Sequence, residues 1–229
     1  SILTDRNDNL WLGMFQKGVF MQTPTASPFH CLGVNQPSEN QIGEQCIMAV
    51  YRQSNGTLWI ACDQDGLYAL DSNYQLIRHY APSSIGGERK ADEIPSTVLT
   101  IAEDNAGRLW VGSYTDGCGW IDPNTGKYHR ASFSYGNAQS VFDINIDYLG
   151  RLWIGTLGDG VKCYDIENDK LTEYKSQHGR TDCLTNNYIL EMQMSLDKKK
   201  IFVGTSNGLS CYDIVEKSWT TTILTTLST

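Results

Sequence analysis

One tryptophan-centred phrase returns five times along this chain: NLWLG from Asn9, TLWIA from Thr57, RLWVG from Arg108, RLWIG from Arg151 and, altered, KIFVG from Lys200. Its aromatic residues, Trp11, Trp59, Trp110, Trp153 and Phe202, are 48, 51, 43 and 49 residues apart. A period of about 40–50 residues is what one four-stranded sheet with its turns consumes. The chain is therefore an array of like units, and its fold has to explain how such units cover one another.

Each phrase follows a turn signal: DRNDN from Asp5, QSNGT from Gln53, DNAGR from Asp104 and DYLGR from Asp147. Gly, Asn and Asp supply the backbone angles of tight hairpins. The fifth turn, SLDKKK from Ser195, is one residue longer and lacks Gly, so it should differ in type. Upstream lie alternating segments, IMAVYR from Ile47, VLTIAE from Val98, VFDINI from Val141 and ILEMQM from Ile189. One phase is apolar throughout: Met48 and Val50, Leu99 and Ile101, Phe142, Ile144 and Ile146, and Leu190, Met192 and Met194. Period-two alternation of this kind predicts strands with that phase turned to a neighbouring unit.

Downstream come a Gly-led third strand, as in GLYALD from Gly66, GCGWID from Gly117, GVKCYD from Gly160 and GLSCYD from Gly208, and a fourth, as in KLTEYK from Lys170. The unit is an antiparallel meander of strands A to D, and no stretch sustains a helical period. A four-stranded sheet has two faces to bury, and blades stacked around an axis bury both without long open edges. The expected fold is all-β: a β-propeller of five four-stranded antiparallel blades, with repeats at about 1–35, 45–80, 96–134, 139–176 and 187–224 in one segment, 1–229. The Trp of each phrase is the expected wedge between blades. The first repeat lacks the start of its inner strand, which points to a piece of a larger, about seven-bladed propeller.

A formal charge of −8 and a pI near 4.9, with no basic stripe, argue against nucleic acid as a partner. Lys198, Lys199 and Lys200 read as a solvated turn. No apolar run approaches the roughly 20 residues of a membrane-spanning helix, so any membrane attachment would come from outside this segment. The seven cysteines form no CxxC or zinc spacing; Cys163 and Cys211 repeat in register and read as small packing residues. No metal or cofactor is expected. The acidic residues recur with the repeat and read as turn chemistry in preference to a catalytic pair, and no GxSxG, HExxH or phosphate loop occurs. Of the four histidines, His79 and His129 fall near the ends of fourth strands, where exposed polar residues are expected.

The phrases DNAGRLWVGSYTDGCGWID (Asp104 to Asp122) and DYLGRLWIGTLGDGVKCYD (Asp147 to Asp165) resemble the two-component regulator propeller repeat. The chain departs from that pattern at Ala61 and Cys62, where Gly and Thr are usual, and at Phe202, where Trp is usual. The resemblance implies the periplasmic sensor half of a Bacteroides-type hybrid two-component system, a histidine kinase joined to a response regulator in one phosphorelay protein. It further implies tandem propellers ahead of a membrane helix, saccharides released from glycans as ligands, and a homodimeric assembly with the rest of the parent chain.

In a meander blade the A–B and C–D turns lie at one end of the disc, and the B–C turns and D-to-A connections at the other. Variable loops on a repeated frame are where recognition concentrates. Aromatic faces and Asp, Asn, Gln or Arg groups hold sugars, which makes Phe15, Gln16, Gln64, Asp65, Tyr114, Asp116, Trp120 and Asp159 the candidate ligand residues. The alternative for the Asp residues, each directly before Gly, is a plain turn role. The expected function is saccharide sensing by a segment that is not itself an enzyme. A protein–protein scaffold is the alternative, with a propeller lyase or glycosidase behind it.

Overall fold

The computed structural model describes residues 1–14, 17–23, 30–32, 42–82, 93–134 and 140–222. They form five four-stranded antiparallel sheets, each a meander in chain order. Blade 1 consists of β1 (Ile2–Thr4), β2 (Leu10–Met14), β3 (Gly18–Gln22) and β4 (His30–Leu32). Blade 2 follows with β5 (Ile47–Arg52), β6 (Leu58–Cys62), β7 (Gly66–Leu70) and β8 (Leu76–Tyr80), and blade 3 with β9 (Val98–Glu103), β10 (Leu109–Ser113), β11 (Cys118–Ile121) and β12 (Tyr128–Arg130). Blade 4 comprises β13 (Val141–Ile146), β14 (Leu152–Thr156), β15 (Val161–Asp165) and β16 (Lys170–Tyr174). Blade 5 comprises β17 (Ile189–Met194), β18 (Lys200–Thr205), β19 (Gly208–Asp213) and β20 (Ser218–Thr222). One turn of 3-10 helix, Ser132–Ser134, is the sole helical element among the described residues.

The A–B hairpin explains why each repeat joins a turn Asp to a Trp six residues on. One oxygen of Asp147 accepts the backbone N–H groups of Leu149 and Arg151, while the other accepts the indole N–H of Trp153 at 2.9 Å and the Arg151 Nε–H at 2.8 Å. Asp104 does the same for Ala106, Arg108 and Trp110. In blade 1, Asp5 clasps Trp11 and the Asn9 amide. Such a carboxylate ties the hairpin to the wedge that fills the core, so both form together. Lys198, at φ +54°, takes the left-handed position in the fifth turn that Gly56, Gly107 and Gly150 take in the second, third and fourth.

Each Trp is buried against the blade that follows. Trp11 lies in a core with Ile47, Leu58 and Ile60 of blade 2; Trp59 packs with Val98 and Val111 of blade 3, Trp110 with Ile144 and Ile154 of blade 4, and Trp153 with Ile189 and Val203 of blade 5. Consecutive blades thus stack through β2 on β5, β6 on β9, β10 on β13 and β14 on β17. Among the described residues no contact of similar extent joins blade 1 to blade 5. The outer face of blade 5 leaves Leu190, Phe202 and Leu209 at 51%, 39% and 45% exposure.

The inner strands differ from their expected phase at one place. Met48, Leu99, Phe142 and Leu190 are each the extra residue of a β-bulge, since Ile47 pairs with Cys62 while Ala49 pairs with Ala61, and the same skip recurs in blades 3, 4 and 5. A bulge shifts the alternation by one residue. The strand-initial Ile47, Val98, Val141 and Ile189 therefore fill the inter-blade core, and Met48 and Leu190 are left exposed. From the third residue on the expected phase holds, with Ile101, Ile144 and Met192 buried.

Candidate functional site

The B–C turns are built by the last residue of each second strand. The hydroxyl of Thr156 donates to the Gly160 carbonyl and accepts the Asp159 N–H, and Ser113 makes the same pair of bonds with Gly117 and Asp116. Thr205 closes the fifth turn with Gly208 and Asn207. Blade 2 has Cys62 at this position, wholly buried, and burial pushes its thiol up to about 12. Burial likewise raises the Cys118 and Cys163 thiols to about 12. These three are packing groups with little thiolate at neutral pH.

The turns are bolted together by the segments entering the inner strands. The Asp63 N–H donates to the Cys46 carbonyl, Tyr114 N–H to Thr97, Leu157 N–H to Ser140 and Ser206 N–H to Tyr188, all within one blade. Other bonds cross between blades: Gly66 N–H donates to the Ser96 carbonyl, the Thr97 hydroxyl to Asp63, the Ser140 hydroxyl to the Tyr114 carbonyl, and Gly158 N–H and Gly160 N–H to Asn187. Loops held this way need little ordering before a ligand arrives.

Five of the eight sequence-derived candidates fall on this frame and Trp120 lies off it; Phe15 and Gln16 lie outside the described residues. Gln64, at φ +58°, donates its N–H to the Thr97 hydroxyl, and Tyr114 hangs from the Thr97 carbonyl, so these two turns meet at one residue. Tyr114 is about half exposed, and Asp116 beside it accepts the Thr115 hydroxyl. Asp65 is engaged locally: it accepts the Tyr68 hydroxyl at 2.6 Å, and His79 Nε2 lies 2.8 Å from its carbonyl oxygen and 3.3 Å from its carboxylate. Asp159 pairs with Lys162 at 3.0 Å and with Lys175. Trp120 stands apart from the turns. It is partly buried in β11, with the His129 ring stacked on it at 4.5 Å and the Arg108 guanidinium 5.2 Å from its centre. His79 stacks on Tyr68 at 3.9 Å, so both histidines pack against aromatic rings and are less exposed than their strand positions suggest.

Two features lie outside the residues picked from sequence. Asp143, on the bulged inner strand of blade 4, accepts the backbone N–H groups of Ile144 and Met192 and the side chains of Thr100 and Asn145, linking three blades. Burial, with Glu191 nearby, raises its carboxyl to about 6. At the opposite end of the disc, where the A–B and C–D turns lie, a cleft of about 240 Å³ opens between blades 2 and 3 beside Thr57, Trp59, Arg78 and Asp122, and another of about 330 Å³ between blades 1 and 2 beside Asp5 and Arg52.

Comparison with known proteins adds to this geometry. Residues 92–115 match the two component regulator propeller family. The match falls on β9, β10 and the turn between them, the repeat unit that carries the Asp104–Trp110 clasp. No curated protein matches. Among solved structures, the chain is similar to the extracellular domain of the hybrid two component system BT3049 from B. thetaiotaomicron, with a TM-score of 0.76 and 22% identity over 97% of this chain and 28% of that one. It is similar to that of BT4673 from the same organism at TM-score 0.73 and 18% identity, over 90% of this chain and 26% of that one. Virginiamycin B lyase from Staphylococcus aureus gives TM-score 0.73 at 12% identity, over 99% of this chain and 70% of that one. The likenesses establish the propeller fold, and the chain spans little more than a quarter of the two extracellular domains.

Proposed function

We propose that this chain is the ligand-sensing, extracytoplasmic propeller segment of a two-component signal transduction protein, responding in the periplasm to saccharides derived from glycans. The observation that carries the proposal is the two component regulator propeller match at residues 92–115, supported by a fold likeness to extracellular domains of B. thetaiotaomicron hybrid two component systems along nearly the whole chain. Tyr114, Asp116, Gln64, Asp65 and Asp159, with Phe15 and Gln16, supply the aromatic and polar groups of the ligand surface, and Trp120 supports it from within the blade. Ligand binding there favours one arrangement of this segment against the rest of the parent chain or a homodimer partner, and the bias passes to a kinase in the parent.

Non-enzymatic action is favoured by how the buried carboxylates are used. Asp104 and Asp147 each accept four hydrogen bonds within their hairpin, which leaves them no free lone pair to act as base or nucleophile. Thermal melting of the chain against a library of glycan-derived saccharides tests the proposal. A ligand at about 100 times its Kd adds roughly 2.7 kcal/mol, a rise of about 5–10 °C for a chain of this size. Tyr114→Ala with Asp116→Ala should lower that rise. A flat response across the library, or an unchanged rise in the double variant, contradicts the sensing role or the site respectively.

A further inference from the structure

The cleft between blades 2 and 3 exists because the second repeat breaks the hairpin clasp while keeping its tryptophan. In blades 3 and 4 the clasp is Asp, Arg and Trp at spacings of four and six, and the Arg fills the space over the indole: the Arg108 guanidinium is 5.9 Å from the Trp110 ring centre and that of Arg151 is 5.8 Å from Trp153. In blade 2 the same positions are Gln53, Thr57 and Trp59. Gln53 keeps the indole bond, accepting Trp59 Nε1–H at 2.8 Å, and turns its amide N–H outward to the Gly107 carbonyl of blade 3. With Thr in place of Arg, the volume over Trp59 stays open.

The volume is lined more by apolar than by polar surface, with Ile77, Leu109 and Ile121 beside the Trp59 and Tyr80 rings, and a few polar groups reach into it, among them Arg78, which bonds the Tyr80 hydroxyl. Arg78, from the outer strand of blade 2, lies over the Tyr80 ring at 4.5 Å, and no carboxylate pairs with it among the described residues. Gly126 of the blade 3 C–D turn, at φ +64°, has no side chain to obstruct it: a Cβ there would stand 2.8 Å from Arg78 Nη1 and 3.2 Å from the Tyr80 hydroxyl. Asp122 faces the cleft from the same turn, one oxygen accepting the Asn124 and Thr125 N–H groups while the Thr125 side chain also bonds the carboxylate. Asn55 spends its carbonyl on the Thr57 N–H and keeps its amide donors. A guanidinium, a carboxylate, an amide and a hydroxyl therefore converge around an aromatic wall in about 240 Å³, below the roughly 300–1,000 Å³ of drug-sized ligand sites and so suited to a smaller ligand.

We propose that this cleft is a second binding site, distinct from the B–C turn surface, that takes a single sugar ring, with Arg78 donating to ring or carboxylate oxygens and Asp122 accepting from hydroxyls. The proposal rests on the reading of the propeller as a saccharide sensor. Its position at the opposite end of the disc would let one glycan product be read at each end, or fix the sensor to a chain longer than either site alone holds.

Titration calorimetry of the full chain with neutral hexoses and with hexuronic acids tests it. Arg78→Ala should weaken binding about tenfold or more, as expected for loss of a charged donor. The double variant Gln53→Asp with Thr57→Arg rebuilds the clasp of blades 3 and 4, so it should fold with an unchanged or higher melting temperature and abolish binding at this site by filling the cleft. Tyr114→Ala with Asp116→Ala should leave this site's affinity as it was. If hexuronic acids bind more tightly than hexoses and lose that preference in Arg78→Ala, the guanidinium reads a carboxylate; equal affinities that both fall assign it to ring hydroxyls. In the Tyr114→Ala/Asp116→Ala background, where the cleft is the site left to fill, sugar binding that is absent or that survives both cleft variants overturns the cleft while leaving the sensor reading in place, and a wild-type chain that binds no sugar at all overturns both.

Discussion

Replacing Gly155 by Ala measures how tightly one blade is seated on the next. Gly155 lies on β14 of blade 4, and a Cβ there would fall 2.8 Å from Ile189 Cγ2 and 3.2–3.3 Å from the end of Met192, both on the inner strand of blade 5. Ile189 is wholly buried and cannot swing away. Overpacking of this kind costs about 1–3 kcal/mol, set against about 0.5–1 kcal/mol gained when Ala replaces a strand Gly. The net expectation is a loss centred on about 1 kcal/mol and no more than about 2.5 kcal/mol. Gly204 occupies the same repeat position on β18, yet the nearest atom to a Cβ there is the Glu191 carbonyl oxygen at 3.6 Å, so Gly204→Ala should be neutral or stabilising by about 0.5 kcal/mol. Urea unfolding midpoints of the two variants, with unchanged slopes, give the comparison directly. Equal effects at the two glycines, or a harmless Gly155→Ala, would refute the idea that this glycine exists to admit the next blade.

Three further outcomes follow from the same structure. Asp147→Ala strands the buried indole N–H of Trp153 and two turn amides, and should cost about 3 kcal/mol or more by chemical denaturation; a loss below about 1 kcal/mol would mean the clasp is ornamental. Asp143 has a folded pKa of about 6, above the ordinary 3.8, so its contribution to stability is complete below pH 3.8 and is lost as pH rises through 6. That loss is on the order of 3 kcal/mol, and Asp143→Asn should flatten the wild-type decline between pH 4 and 7; identical pH profiles would contradict the burial of charge there. Alkylation of the native protein at pH 8, followed by mass mapping, should leave Cys62, Cys118 and Cys163 unmodified, and stoichiometric labelling of any of them would show that its strand opens readily.

Blade number, strand order and the wedge role of the tryptophans were legible in the chain because each rests on local chemistry repeated at a fixed period. The bulges at Met48, Leu99, Phe142 and Leu190 were not, since a bulge is a matter of pairing across strands and each bulged residue directly follows another apolar residue, so the sequence fits either phase there. Asp143 was hidden for the same reason, because only the bulge brings it to Thr100 and the Met192 amide. Trp120 read as a ligand residue and His129 as an exposed strand-end group until register places them directly opposite one another on β11 and β12. The cleft over Trp59 did leave a mark in the sequence, the Gln53 and Thr57 that replace Asp and Arg, but the retained Trp made the repeat look intact.

The claim that the loops of this propeller read a saccharide is tested most directly by mapping backbone amide shifts of the labelled chain on addition of a saccharide that raises its melting temperature. The account predicts perturbations confined to the B–C turns around Gln64–Gly66, Tyr114–Gly117 and Gly158–Gly160, with a separate set at Thr57, Arg78 and Asp122. Shifts scattered over the blade cores, or none with any saccharide at millimolar concentration, would contradict it.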